Sequence, residues 1–296
     1  SLWLFTYSDL KTMVFPSTAF ALLYSFAESL SRSDDDPNTV IDYLARRIPS
    51  ILLWAWMNCL AFNVNNQRLP HAIQEDELNK SWRPLPSHRL TLYQASLLAR
   101  VVHPITAIVS CIVGGGLAPS SLLAVFSYAD NDLRYGDTTV MGRNVLNACG
   151  FTSFAAGALQ VAIRSHSPFD AEDTKWLTVI TLVVFSAVHI QDLYDQVGDK
   201  AAGRLTIALV LGDHTARYTI IAPLVFWSGF CPTYWKASSI GYYVVGSLAI
   251  VVVGRLITLR TVEGDRRTFL IYNGWLVATY MLPLLACMRG GVLRAL

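Results

Sequence analysis

Charge is what this sequence has little of. Asp, Glu, Lys and Arg make up only 15% of its 296 residues, where an ordinary soluble domain carries about 25%. With 53% apolar residues and a mean hydropathy of +0.40, the deficit excludes a conventional soluble core and implies a polytopic membrane protein. The net charge of +2 is too small for a polyanion-binding surface, so no nucleic-acid partner is expected. Paired cysteines are also missing. Cys59, Cys111, Cys149, Cys231 and Cys287 stand singly, with no CxxC or Cys/His spacing, which argues against a zinc site or a disulfide framework. They read as small buried hydrophobes with reduced thiols. No cleavable signal sequence is evident, the chain opening on Ser rather than Met. Internal repeats, low-complexity tracts and an appended soluble domain are lacking, so residues 1–296 read as one membrane-embedded domain.

What is present is a series of apolar runs near 12–30, 46–65, 92–113, 116–129, 141–162, 175–194, 204–229, 239–258 and 269–288. A helix needs about 20 apolar residues to cross the hydrocarbon core. The pattern predicts an all-α bundle of nine transmembrane helices, with eight as the alternative. The doubt falls on the short fourth run, which follows Gly114-Gly115-Gly116 directly. Two long polar loops interrupt the series, at 66–91 and 192–203. Four runs separate them, so both emerge on one face of the membrane. Fourteen basic residues, among them Lys11, Lys80, Arg134 and Arg266, fall on that face, against eight, including Arg32, Arg289 and Arg294, on the other. The positive-inside rule then places both loops in the cytosol. The expected location is the endoplasmic reticulum membrane, with no obligate protein partner evident.

The second polar loop carries Asp192, Asp195 and Asp199 at i, i+3 and i+7, which predicts one helical stripe. Three stacked carboxylates repel one another, and Mg²⁺ relieves the repulsion as a hard cation that favours carboxylate oxygens and completes its shell with phosphates. Gly198 and Gly203 let the chain bend, and Lys200 and Arg204 add charge suited to a phosphate oxygen. A merely solvated, capping acidic turn would need neither the third acid nor the Gly203-Arg204 pair.

The first polar loop repeats the spacing with Asp76, Asn79 and Arg83, Glu75 standing beside Asp76 and Lys80 beside Asn79. Acid and amide oxygens can take a metal while Arg83 and Lys80 neutralise phosphate. Alone, this stretch reads equally well as a polar connector whose acids pair with its own Lys80 and Arg83. Opposite a second acidic segment on the same face, it points to a substrate carrying diphosphate. Arg143 and Asn144 open the fifth run on that face. Arg100 and His103 lie inside the third, where a charge usually faces the bundle interior. Tyr194, His189 and Gln191 flank the second motif; Trp54, Trp56, Tyr272 and Trp275 are further candidates for an aromatic lining that would stabilise a cation.

The phrases NQRLPHAIQEDELNKSWRPLPSHRLT and DLYDQVGDKAAGRLTIALVLG resemble the two aspartate-rich motifs of the UbiA superfamily of intramembrane prenyltransferases. The likeness runs along nearly the whole chain. Within the superfamily the chain is most similar to the fungal membrane-bound terpene cyclases. The resemblance implies a UbiA-like helical bundle that binds a prenyl diphosphate and Mg²⁺ within the lipid bilayer. It implies Asp76, Asp192, Asp195 and Asp199 as catalytic acids, and Asn66, Glu75 and Asn79 as further metal ligands. Asn79, Lys80, Arg83, Arg143, Asn144, Tyr194, Lys200 and Arg204 would contact substrate. One departure stands out: Ala72 occupies the place of an acid four residues before Asp76, and Asn65, Asn66 and Gln67 stand where an acidic start is usual. Fewer carboxylates weaken one metal site and argue against ordinary aromatic prenyl transfer. The resemblance to the terpene cyclases implies cyclisation of a linear prenyl diphosphate, farnesyl diphosphate, to a sesquiterpene, with transfer to an aromatic or quinone-precursor acceptor as the alternative. A transporter lined by the same acids is a third reading, disfavoured because the acids gather on one face.

Overall fold

The computed structural model describes residues 2–32 and 36–289. Arg294 lies outside the described residues, as do the side chains of Arg32 and Arg289. In chain order the helices are α1 (Leu2–Thr6), α2 (Phe15–Arg32), α3 (Pro37–Gln67), α4 (Pro70–Asn79), α5 (Leu92–Val113), α6 (Leu117–Asn131), α7 (Tyr135–Thr138) and α8 (Val140–Ile163). There follow α9 (Ala171–Ala187), α10 (Gln196–Ala201), α11 (Ile207–Leu211), α12 (Asp213–Tyr234), α13 (Ser239–Thr258), α14 (Val262–Tyr280) and α15 (Leu282–Arg289). A π-helical turn, Leu10–Val14, leads into α2, and a 3-10 turn, Val188–Leu193, ends α9. No strand occurs among the described residues, as the apolar runs predict.

Each predicted run corresponds to one of the nine helices of fifteen or more residues among the described residues. Six segments, Leu10–Ser31, Leu92–Val113, Val140–Ile163, Ala171–Leu193, Ser239–Thr258 and Val262–Cys287, are long and apolar enough to cross a bilayer. The other three, α3, α6 and α12, fall short in different ways. At 15 residues, α6 reaches about 22 Å at a rise of 1.5 Å per residue, below the roughly 30 Å hydrocarbon thickness. α3 carries a polar C-terminal half, Asn58, Asn63, Asn65, Asn66 and Gln67.

Local chemistry sets the ends. Thr91 and Gln94 form a reciprocal capping box at the start of α5, and Asp36, Thr139, Asp170 and Thr261 cap α3, α8, α9 and α14 through their side chains. Gly114 and Gly116 take φ of +81° and +79°, conformations that suit glycine, and so reverse the chain between α5 and α6. The seventh run starts later than predicted. Thr206 caps the separate short helix α11, and Gly212, at φ +82°, ends it before α12.

The long helices close a ring that returns from α14 to α2, with α8 packed on α2, α3, α6 and α9. The sequence of α8 is rich in Ala and Gly, which lets helix backbones approach closely in lipid. Gly157 abuts the Trp54 ring, where any Cβ would collide with it. At the end remote from the polar loops, Arg47 donates to the Val161 carbonyl at 2.7 Å and to the Val113 carbonyl at 2.6 Å, tying the C-terminal turns of α8 and α5 to α3. The cysteines are all free thiols, but only Cys59 and Cys231 are buried; Cys111 sits on the outer surface of α5, as a small apolar side chain can in lipid.

Candidate active site

The two polar loops meet. Asn79, the last residue of α4, donates from Nδ2 to Asp195 Oδ1 at 2.6 Å. Arg204 Nη1 reaches Glu75 Oε2 at 2.8 Å. Gly198 in α10 makes the approach possible, because a Cβ there would lie 3.1 Å from Glu75 Cγ and press directly on the Asn79 amide.

The acids do not lie on continuous helical stripes. The helix expected through 192–199 breaks at Tyr194–Asp195: the 3-10 turn ends at Leu193, and α10 starts at Gln196. Separated in this way, the three carboxylates find three different partners. Arg143 Nε lies 3.0 Å from Asp192 Oδ1, Asp195 takes the Asn79 amide, and Arg204 Nη1 lies 3.0 Å from Asp199 Oδ1. Likewise α4 ends before Arg83, which folds back from a turn to bond both oxygens of Asp76, at 2.8 and 2.9 Å. Arg204 also meets Asp137 at 3.0 Å. No sequence signal singled out Asp137, since its partner is 67 residues away.

Burial acts on these acids. It raises the Glu75 carboxyl above its ordinary range, with Arg204 opposing. It raises Asp76 likewise, against the neighbouring Arg83. Partial burial lowers His71, and nearby Arg134 lowers it further.

Beneath the meeting point lies a cavity of about 400 Å³, within the size range of small-molecule sites. Asn66, Glu75, Asp76, Asn79, Lys80, Arg83, Arg143, Asp195 and Arg204 line its polar part, with Tyr194 and Gln191 alongside. Phe62, Phe151, Phe154, Phe269, Met13 and Leu270 line the apolar part. Ala72, where an acid is usual, also faces it. Asn66 is held by a 2.7 Å bond to Asn131 Oδ1. Asp192 and Asp199 sit behind the wall, 1% and 0% exposed.

Several expected residues lie elsewhere. Asn144 bonds the Phe185 carbonyl at 3.0 Å and His189 Nδ1 at 3.2 Å, clasping α8 to the end of α9 rather than reaching the cavity. Lys200 points outward on α10 and Arg100 lies on the outer surface of α5, where a long side chain can extend to the interface. His103 is half-buried on the same helix. Trp54 donates to Ser110 Oγ and Trp56 to Thr6 Oγ1, while Tyr272 and Trp275 pack in the bundle core. Phenylalanines unmarked in sequence supply the aromatic wall instead. The π-helical segment adds Lys11 and Thr12 to the lining, Asp9 joins them from just before it, and α14 adds Arg266. Only their convergence in space reveals them.

The donor set fits a hard divalent cation. Glu75, Asp76, Asn79, Asn66 and Asp195 all line one cavity mouth, and Asp199 Oδ2, behind its wall, is a buried oxygen without a hydrogen-bond partner among the described residues.

The chain is similar to known proteins along most of its length. The chain is 26% identical to the fumagillin β-trans-bergamotene synthase of Aspergillus fumigatus, over 98% of this chain and 93% of that protein. It is 26% identical to somaliensene A/B synthase of Streptomyces somaliensis, over 92% and 88%. A polyprenyl transferase of Hericium erinaceus is 25% identical, over 91% and 88%. Among solved structures, a UbiA homolog from Archaeoglobus fulgidus bound to DMAPP and Mg²⁺ shares the fold, with a TM-score of 0.58 at 11% identity over 94% of this chain and 98% of that one. The same homolog bound to GPP and Mg²⁺ aligns with a TM-score of 0.55 at 10% identity, over 93% and 99%. The profile of the UbiA prenyltransferase family matches residues 14–277, and the chain belongs to that family.

Proposed function

We propose that this chain is a Mg²⁺-dependent terpene cyclase that ionises farnesyl diphosphate and closes it to a sesquiterpene hydrocarbon, releasing diphosphate. The observation that carries the reading is the junction of the two acidic segments, Asn79 to Asp195 and Arg204 to Glu75, over a phenylalanine-lined cavity. The likeness to terpene synthases supports cyclisation, and the solved homologs bound to prenyl diphosphates and Mg²⁺ support the substrate class and the metal.

Asn66, Glu75, Asp76, Asn79 and Asp195 would hold the metal at the mouth, backed by Asp192 and Asp199. When bound, Mg²⁺ supplies positive charge that stabilises a departing diphosphate. Lys80 and Arg83 stand beside the acids to take phosphate oxygens, so the C–O bond breaks with its electron pair on the leaving group. The tail lies among Phe62, Phe151, Phe154 and Phe269, whose π faces favour a carbocation and whose bulk keeps water away from it. A double bond of the same tail captures the cation, and proton loss completes the alkene.

The basic-residue asymmetry supports a mouth facing the cytosol, and the membrane we infer is that of the endoplasmic reticulum. The likeness to a polyprenyl transferase favours a second reading, transfer to an aromatic or quinone-precursor acceptor. Purified protein supplied with farnesyl diphosphate and Mg²⁺, without acceptor, tests both. Diphosphate release with a volatile hydrocarbon by gas chromatography is expected. Release that requires an acceptor would favour transfer, and no release under either condition would end both readings.

A further inference from the structure

The arginines already described at the mouth are engaged with acids: Arg83 with Asp76, Arg143 with Asp192, and Arg204 with Glu75, Asp137 and Asp199. Arg266 differs. It lines the same cavity from α14, and no ion pair engages it among the described residues. Its guanidinium carbon stands 5.6 Å from the centroid of the Tyr194 ring, between Asp192 and Asp195 in sequence.

Its neighbours explain where it points. Asp265, 3% exposed, is held by Arg217 at 2.7 Å and locks the first turn of α14 into the bundle. Arg267 pairs outward with Glu263 at 2.8 Å. Successive helical residues turn by about 100°, so the residue between an inward lock and an outward pair is directed across the cavity mouth. Cation–π attraction at an exposed site is weak; a charge-assisted, bidentate bond to phosphate is stronger. A phosphate arriving at the mouth therefore outcompetes the ring.

We propose that Arg266 grips the phosphate end of the substrate from the α14 side and leaves the Tyr194 ring to do so. The swap has a second consequence: it uncovers the Tyr194 π face beside the bond that ionises. This rests on the prenyl diphosphate reading above.

The test measures inorganic diphosphate binding to the full detergent-purified chain with Mg²⁺ present, by calorimetry. Arg266→Gln weakens binding about tenfold, as expected for a lost charged hydrogen bond. Arg266→Lys, which keeps the charge but not the fork, weakens it less. Arg267→Gln, one residue away and outside the cavity, binds as the wild type does. Wild-type affinity in both Arg266 variants would overturn the proposal, and Arg266→Lys alone decides the matter if Arg266→Gln fails to fold. A wild-type chain that binds no diphosphate would instead overturn the substrate reading itself, so the two failures are separable.

Discussion

Gly198→Ala adds one methyl group where the two acidic segments touch. That methyl would sit 3.1 Å from Glu75 Cγ, 3.2 Å from Asp195 Oδ1 and against the Asn79 amide, far inside contact distance. Backbone strain is not the issue, because Gly198 is not among the glycines of positive φ. In a helix the change by itself gains about 1 kcal/mol of propensity. Against this, the displaced Asn79 amide gives up its 2.6 Å bond to Asp195, a charged hydrogen bond worth about 1.5–3 kcal/mol, and overpacking adds about 1–3 kcal/mol. Asn79 is only partly buried and can yield, so the lower ends apply and net stability falls by about 1–2 kcal/mol. Activity falls much further. Separating α4 from α10 by about 1 Å misplaces metal and phosphate ligands together, a geometric error that costs about 10²-fold in rate. Diphosphate release from farnesyl diphosphate at saturating Mg²⁺, measured beside thermal unfolding, checks both. Gly229→Ala, with open space around the added Cβ, is the control. Full turnover in Gly198→Ala would refute the claim that this contact shapes the site.

Asp195→Ala, which removes a carboxylate lining the mouth, and Asp192→Ala, which releases the cavity-lining Arg143 from its partner, should each reduce diphosphate release by about 10²–10³-fold; rates within tenfold of wild type in folded protein would contradict this. Arg204→Ala leaves Glu75, Asp137 and Asp199, with side chains 7%, 9% and 0% exposed, without their shared cation. A loss of about 3 kcal/mol is expected, read as a lowered unfolding midpoint, and an unchanged midpoint would dismiss Arg204 as the hub. Burial raises the folded-state pKa values of Glu75 and Asp76 above their ordinary 4.5 and 3.8. A raised value means that their contribution to stability is full below the unfolded pKa and is lost as pH rises through the folded one. The unfolding midpoint of chelator-treated protein should therefore gain from these groups on acidification from neutral pH towards about 4.5. Glu75→Gln should flatten that gain, and a profile identical to wild type would contradict it.

The spacing of Asp192, Asp195 and Asp199 is visible in sequence, but the break at Tyr194–Asp195 is not. A 3.6-residue period describes an uninterrupted helix, whereas here each acid meets a different partner: Arg143 and Asn79, far away in sequence, and Arg204, five residues beyond Asp199. The polar-connector reading of the first loop was half right: Arg83 does pair with Asp76, yet both still line the cavity. Asn144 illustrates the reverse failure. Its position on the loop-bearing face suggested a ligand contact, whereas the neighbouring Phe185 carbonyl and His189 satisfy it first.

Composition and hydropathy, being properties of the chain alone, determined the all-helical membrane character, the positions of the long helices and the common face of the two polar loops. The spacing within the two polar loops, with the family resemblance, identified Asp76, Asn79, Asp192, Asp195 and Asp199 as a chemical group. Which of these acids reach the cavity, which arginine compensates each, and which aromatics wall it were decided by tertiary structure. Those choices depend on contacts between residues far apart in sequence, such as Asn79 with Asp195, 116 positions away. Periodicity within one helix carries no information about the face a second helix will present to it.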